Sequence, residues 1–139
     1  VRRLTGARRQ VRLFDSDFTA EDLAPPDIDG VMLEFAEDDA SSCAGCVGVR
    51  AREKSGPRTS RVFFVQQESG LIHQVDYLDR RGELVRRYEL VETQAIQGET
   101  VPQTCRMEDL ERGSVTTLRL TSVTLPDSVP ARLFNPGSL

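Results

Sequence analysis

The chain has 139 residues and a formal net charge of −4 at neutral pH. That balance supplies no global field to draw it to nucleic acid or anionic lipid. No apolar run approaches the ~20 residues of a membrane span, so an integral membrane protein of helical type is excluded. A domain of this size buries roughly 65–70% of its unfolded surface, enough for a real core. The chain begins at Val1 rather than Met, so the absence of a signal peptide says nothing about compartment.

In chain order, Val1 to Arg12 carries five arginines, Arg2, Arg3, Arg8, Arg9 and Arg12. No aromatic residue interleaves with them, which argues against a nucleic-acid platform. A solvated edge or frayed terminus explains them better than a phosphate contact. Ser16 or Asp17 suits a helix cap, with Glu21 and Asp22 in the first turn. Phe18 and Leu23 would anchor that short helix, and Pro25-Pro26 would stop it. The acidic pair Glu21-Asp22 could suggest acid/base chemistry, but capping and solvation account for it. Gly30–Glu37 then alternates as a strand, with Val31, Leu33 and Phe35 against Met32, Glu34 and Ala36. Asp38–Gly45 is a polar loop, and Cys46–Glu53 reads as the returning strand.

The stretch from Arg61 to Thr124 reads as a five-strand meander. Arg61–Gln67 is β-branched and aromatic, and Glu68-Ser69-Gly70 fits a hairpin loop with one left-handed position. Leu71–Leu78 places Leu71, His73, Val75 and Tyr77 inward. After Asp79–Gly82, Glu83–Val91 puts Leu84, Tyr88 and Leu90 on one face together with Arg86. A helical spacing through Leu84, Tyr88, Val91 and Ala95 competes there, but strand is favoured because sequential strands tend to pair. Gln97-Gly98 is a break. Pro102 opens the next strand, to Asp109, with Cys105 and Met107 on one face. Ser114–Thr124 ends the meander, with Thr116, Leu118 and Leu120 facing one way. Short connections make every pairing antiparallel. A one-sided sheet of this kind must cover or fill its apolar face. Leu133 and Phe134 in the proline-punctuated tail would pin it.

Candidates for chemistry are few. Cys43-Ala-Gly-Cys46 could be a redox dithiol, half a zinc site or a small disulfide. Zinc needs about four ligands, and the rest of the chain offers Cys105 and His73. A redox pair belongs at a helix start in a βαβ unit, whereas this pair falls in a β-hairpin. A structural disulfide between Cys43 and Cys46, or incidental thiols, is therefore favoured. His73, the single histidine, reads as a packed residue. No Ser-His-Asp set, phosphate loop, cofactor motif or catalytic signature is visible.

Several segments together resemble one family. They are Ser16–Leu23 (SDFTAEDL), Val75–Asp79 with Arg81–Leu84, Val101-Pro102 with Arg106–Leu110, Thr116–Leu118, and Leu133–Pro136. In this order and spacing they are similar to the bacterial outer-membrane lipoprotein-sorting-like proteins, the LolA/LolB-like superfamily. The CxxC departs from that family's shorter glycine turn. The resemblance implies a mainly β fold: a strongly curved antiparallel sheet, an incomplete β-barrel, with short helices on the concave side. It also implies that 1–139 is a single domain whose first strands and principal helix precede Val1.

By that resemblance the protein is a periplasmic, non-catalytic carrier for lipid or lipoprotein acyl chains. An envelope transporter is a further expected partner; nucleic acid is not. The expected apolar lining is Leu71, Val75, Tyr77, Tyr88, Leu90, Cys105, Met107, Leu118 and Leu120. Two other readings stand beside it: a protein-interaction module whose concave side is filled by its own helix, and a CxxC-based redox or metal-binding protein.

Overall fold

A computed structural model describes residues 11–24, 28–36, 43–54 and 59–130. Seven strands form one antiparallel sheet in sequence order: β1 (Val31–Phe35), β2 (Cys46–Glu53), β3 (Ser60–Gln66), β4 (Ile72–Leu78), β5 (Leu84–Ile96), β6 (Glu99–Asp109) and β7 (Ser114–Arg119). The sheet is curved and unclosed, with β1 and β7 as its edges. The helical spacing at 84–95 loses to the neighbouring strands, because β5 pairs along its length with β4 and β6.

Local chemistry fixes the hairpins. Gly70 takes φ +69° at the end of the β3–β4 loop, a conformation free of cost only without a Cβ. Gln97 and Gly98 both have positive φ, 52° and 85°, and join Ile96 to its partner Glu99. Two left-handed residues give the turn a twist that matches the flanking strands. Strand β6 therefore starts at Glu99, ahead of Pro102, rather than at the proline. Pro102 sits beside a register shift in the β5–β6 ladder, where its missing N–H is tolerated. Strand β7 ends at Arg119, paired with Thr104, and Leu120 donates to the Gln103 carbonyl at 2.8 Å. Residues 120–124 leave the sheet instead of extending it to Thr124.

Register sorts the side chains into two faces. On the inner face one row crosses all seven strands: Phe35, Val49, Phe63, Val75, Tyr88, Met107 and Thr116. One step along the strands lies a second inner row: Leu33, Ala51, Arg61, Tyr77, Arg86, Asp109 and Ser114. The outer face alternates in charge, with Glu34 beside Arg50, and Asp76, Arg87 and Glu108 in sequence. Arg87 grips Asp76 with two hydrogen bonds of 2.7 and 2.8 Å, and Gln74 donates to the same carboxylate at 2.9 Å. Beside this network Val62 and Phe64, also outer, are each only 1% exposed. The outer face is thus not uniformly polar.

Candidate functional site

The inner face over β3–β7 is covered by the segment 11–24. The expected helix at 16–23 is instead a chain of turns, and no helix occurs among the described residues. Phe14 and Asp15 take left-handed φ of 51° and 57° at the tip of a reversal, closed by an isolated bridge between Arg12 and Thr19. A turn then starts at Thr19, whose N–H and hydroxyl both donate to the Asp22 carboxylate, at 2.7 and 2.8 Å, the acidic half of a capping box. It stops after a single turn, Ala24 N–H to Glu21 carbonyl at 3.3 Å, because Pro25 and Pro26 cannot continue it. Tertiary partners take the acidic side chains that a helix N-terminus would otherwise hold.

Those partners, Thr116 aside, belong to the second inner row, one residue from each of five strands. Glu21 pairs with Arg61 of β3. Asp22 accepts from the Tyr77 hydroxyl of β4 at 2.7 Å and from Arg86 of β5 at 2.6 Å. Arg12 pairs with Asp109 of β6. Asp17 accepts from Ser114 and Thr116 of β7 at 2.7 and 2.8 Å, and from Arg12 at 2.9 Å. Arg86 also donates to the Asp17 carbonyl at 2.7 Å and lies 4.8 Å over the Tyr77 ring, while its Nε is buried without a partner. Arg12, the only one of the five N-terminal arginines within the described residues, is therefore part of a docking latch.

The electrostatics follow from burial set against these partners. Burial by itself pushes the Asp17 carboxyl up. Hydrogen bonds from Ser114 and Thr116, with the charges of Arg112 and Arg12, outweigh it and hold the group below its ordinary 3.8. Asp109 is likewise depressed: burial raises it, but Arg12 and the Arg112 N–H lower it more. The Tyr77 phenol is pushed far up, by burial first and then by the Asp22 carboxylate. Asp17, Glu21 and Asp22 thus hold their own segment in place.

Between the charged ends, Phe18 enters the apolar face. It is 3% exposed and packs with Leu90, Cys105 and Met107, with Leu71, Tyr77, Tyr88 and Leu118 around them. The Tyr88 hydroxyl lies 3.0 Å from the Cys105 sulfur. Of the nine expected lining residues, Val75 lies on the same inner face and Leu71, Tyr77, Tyr88, Leu90, Cys105, Met107 and Leu118 gather around Phe18. Leu120 falls beyond β7 and is 39% exposed.

The two ends of the sheet differ. At the end bearing the β4–β5 and β6–β7 turns, the latch closes the inner face. At the other end a cleft of about 330 Å³ remains open, lined by Leu71, His73 and Leu90 from the inner face, by Gln66, Thr93 and Thr100, and by Cys43 and Ala44 at its rim. Cys43 and Cys46 form a disulfide at the entrance to β2, away from any helix start. Among the described residues no group of three or more His, Cys, Asp or Glu could hold a metal. The expected contacts of Leu133 and Phe134 lie outside the described residues.

A family model described as "-like: Uncharacterized protein" matches residues 1–139. The chain belongs to that family. No curated protein matches it. Three solved structures give its fold. A DUF1329 family protein from Desulfovibrio piger has TM-score 0.81 at 21% identity, covering 99% of this chain and 59% of that one. A domain described as a candidate outer membrane lipoprotein-sorting protein from Vibrio parahaemolyticus has TM-score 0.79 at 16% identity, covering 95% and 57%. A LolA superfamily protein from Nitrosomonas europaea has TM-score 0.69 at 16% identity, covering 92% and 60%. The fold is thus LolA-like, as the sequence resemblance implied, and the chain spans less than two thirds of each of these proteins.

Proposed function

We propose that this LolA-like domain binds an apolar chain, the acyl group of a lipid or lipoprotein, in the cleft beside Phe18. The observation that carries the reading is the cleft itself, whose walls Leu71 and Leu90 are also members of the Phe18 cluster. A ligand entering past the disulfide loop meets Leu71 and Leu90 between the polar side chains of Gln66, His73, Thr93 and Thr100, and each CH₂ it buries contributes about 0.8 kcal/mol. The volume sits at the low end of ligand pockets, about 300–1,000 Å³, which suits one chain rather than a whole lipid. The periplasm is the proposed compartment. A disulfide persists in an oxidising environment, and the neighbours in fold include a lipoprotein-sorting domain.

The test is lipid extraction from the full-length protein with mass spectrometry, joined to displacement of an environment-sensitive fatty-acid probe. The expected result is a co-purifying acyl lipid and probe binding that Leu90→Arg abolishes. No lipid and no probe binding overturn it. One observation favours a second reading, a protein-interaction module with an envelope transporter as partner: much of the inner face is already filled by the chain's own residues 11–24. Its expected signature is a partner captured by cross-linking from the sheet rim, with no apolar ligand in the cleft.

A further inference from the structure

Three shifts of register border the open cleft, and the acyl-chain reading does not use them. Between β3 and β4 the ladder passes from Phe64–Gln74 to Val65–Ile72, which leaves His73 unmatched. Between β5 and β6 it passes from Leu90–Cys105 to Glu92–Thr104, leaving Val91, and then to Thr93–Pro102, leaving Gln103. His73 and Val91 both line the cleft. A bulge of this kind inserts a residue that the partner strand does not pair and re-aims the side chains beyond it.

The effect on the inner face follows from parity. Leu90 and Thr93 are three positions apart, so a regular strand would send them to opposite faces; here both line the cleft. Thr100 joins them, since by register it lies beside Ala95, two positions past Thr93. The bulges therefore bring the hydroxyls of Thr93 and Thr100 to the same end of the inner face as the His73 imidazole. Gln66 also lines this end, but its side-chain oxygen already accepts from the Ser69 hydroxyl at 2.8 Å. Among the described residues no hydrogen bond engages the side chains of His73, Thr93 or Thr100. Leu71 and Leu90, members of the Phe18 cluster, supply the apolar part of the same cleft.

An imidazole N–H and a threonine hydroxyl can each donate to an acceptor that carries no donor of its own, and a carbonyl oxygen has two lone pairs to receive them. We infer that the bulged end of the cleft recognises the carbonyl of an acyl ester or amide, with His73, Thr93 and Thr100 as its donors and the hydrocarbon lying on Leu71 and Leu90. This specificity rests on the acyl-chain reading and adds to it. Contact with the hydrocarbon scales with chain length whatever the chain is attached to, whereas the three donors select the linkage.

Competition against the environment-sensitive fatty-acid probe tests this on the full-length protein, with ligands of one chain length held below their micelle concentrations. Wild type should prefer monopalmitoylglycerol over its alkyl ether, monohexadecylglycerol, which lacks the carbonyl. The expected preference is on the order of fivefold for each hydrogen bond formed. His73→Phe should bring the ester-to-ether ratio toward one, and so, separately, should Thr93→Val/Thr100→Val. Circular dichroism checks that both variants are folded, and taking the ratio within each variant cancels any general loss of affinity. N-palmitoylglycinamide separates the two sources of the carbonyl. Tighter competition than the ester assigns the site to the amide of an N-acylated peptide, and weaker competition assigns it to the ester of a glycerolipid. A ratio near one in the wild type, or a ratio that survives both variants, overturns the inference and leaves the acyl-chain reading standing. If neither the ester nor the ether displaces the probe, the acyl-chain reading falls and the carbonyl site falls with it.

Discussion

Phe18→Ala is the perturbation that separates a docked segment from a decorative one. Phe18 is 3% exposed and its ring is surrounded by Leu90, Cys105 and Met107, the last fully buried. Truncation removes the transfer energy of the ring and leaves a void against strands held rigid by their own ladders, a loss of about 3–5 kcal/mol. For a chain of 139 residues that corresponds to a fall in melting temperature of about 10–17 °C. Phe14, four positions earlier, is 99% exposed, and Phe14→Ala should stay within about 0.5 kcal/mol of wild type. Urea and thermal melts followed by far-ultraviolet circular dichroism measure both. The vacated space adjoins the cleft through Leu71 and Leu90, so Phe18→Ala should also take up a bulkier apolar probe. A loss below about 1 kcal/mol for Phe18→Ala, a value typical of surface or marginal sites, would refute the docking account.

Other expectations follow from the same geometry. Asp17 and Asp109 have folded values depressed below 3.8, so their stabilisation is complete above that value and is lost as pH falls through the folded ones. Stability should be flat from neutrality to about pH 5 and then drop; Asp17→Asn or Asp109→Asn, measured by urea melts across that range, should be less stable at neutrality and show a shallower acid slope. The Cys43–Cys46 disulfide closes a loop of only three residues' separation, so loop entropy predicts a loss of about 2 kcal/mol when it is reduced; a dithiothreitol-treated sample and Cys43→Ser/Cys46→Ser should melt alike, below the oxidised protein. Gln97→Asn should stabilise by up to about 1 kcal/mol, since Asn tolerates the left-handed φ of 52° better than Gln; a lowered melting temperature would count against the turn assignment. At Gly48 an added Cβ would stand 2.8 Å from the Ala36 carbonyl oxygen and 3.1 Å from its Cβ, so Gly48→Ala should cost about 1–3 kcal/mol in chemical denaturation.

Much of the sheet was legible because alternation is a local signal. The inward set Leu71, His73, Val75, Tyr77 and the pair Cys105 and Met107 follow from a period of two, and the hairpin glycines follow from φ alone. The helix expected at 16–23 was not recoverable in this way. Its capping residues are genuine, but Asp17, Glu21 and Asp22 are claimed by residues 40 to 99 positions away. Local propensity cannot weigh a partner at that distance. One trace of it was present in the sequence: Arg86 shares a face with Tyr88 and Leu90, and a guanidinium on an apolar face requires an acid from elsewhere. The end of β7 at Arg119 was not legible either, since the alternation of Thr116, Leu118 and Leu120 runs on past it.

The second inner row explains why the motif SDFTAEDL has the form it does. Arg61, Tyr77, Arg86, Asp109 and Ser114 lie side by side across five strands. Neighbouring strands are about 4.8 Å apart, so a segment crossing them needs a polar group every one or two residues, with one apolar anchor between. Asp17, Phe18, Glu21 and Asp22 meet that spacing when the chain is turned, whereas a helix would carry them around its axis. The polarity of the sheet follows. Charge pairs close one end, where burial makes each broken pair costly. At the other end, among the described residues, the disulfide loop and mixed apolar and polar side chains line the cleft. On the proposed reading, an apolar chain entering there leaves the ion pairs of the latch intact.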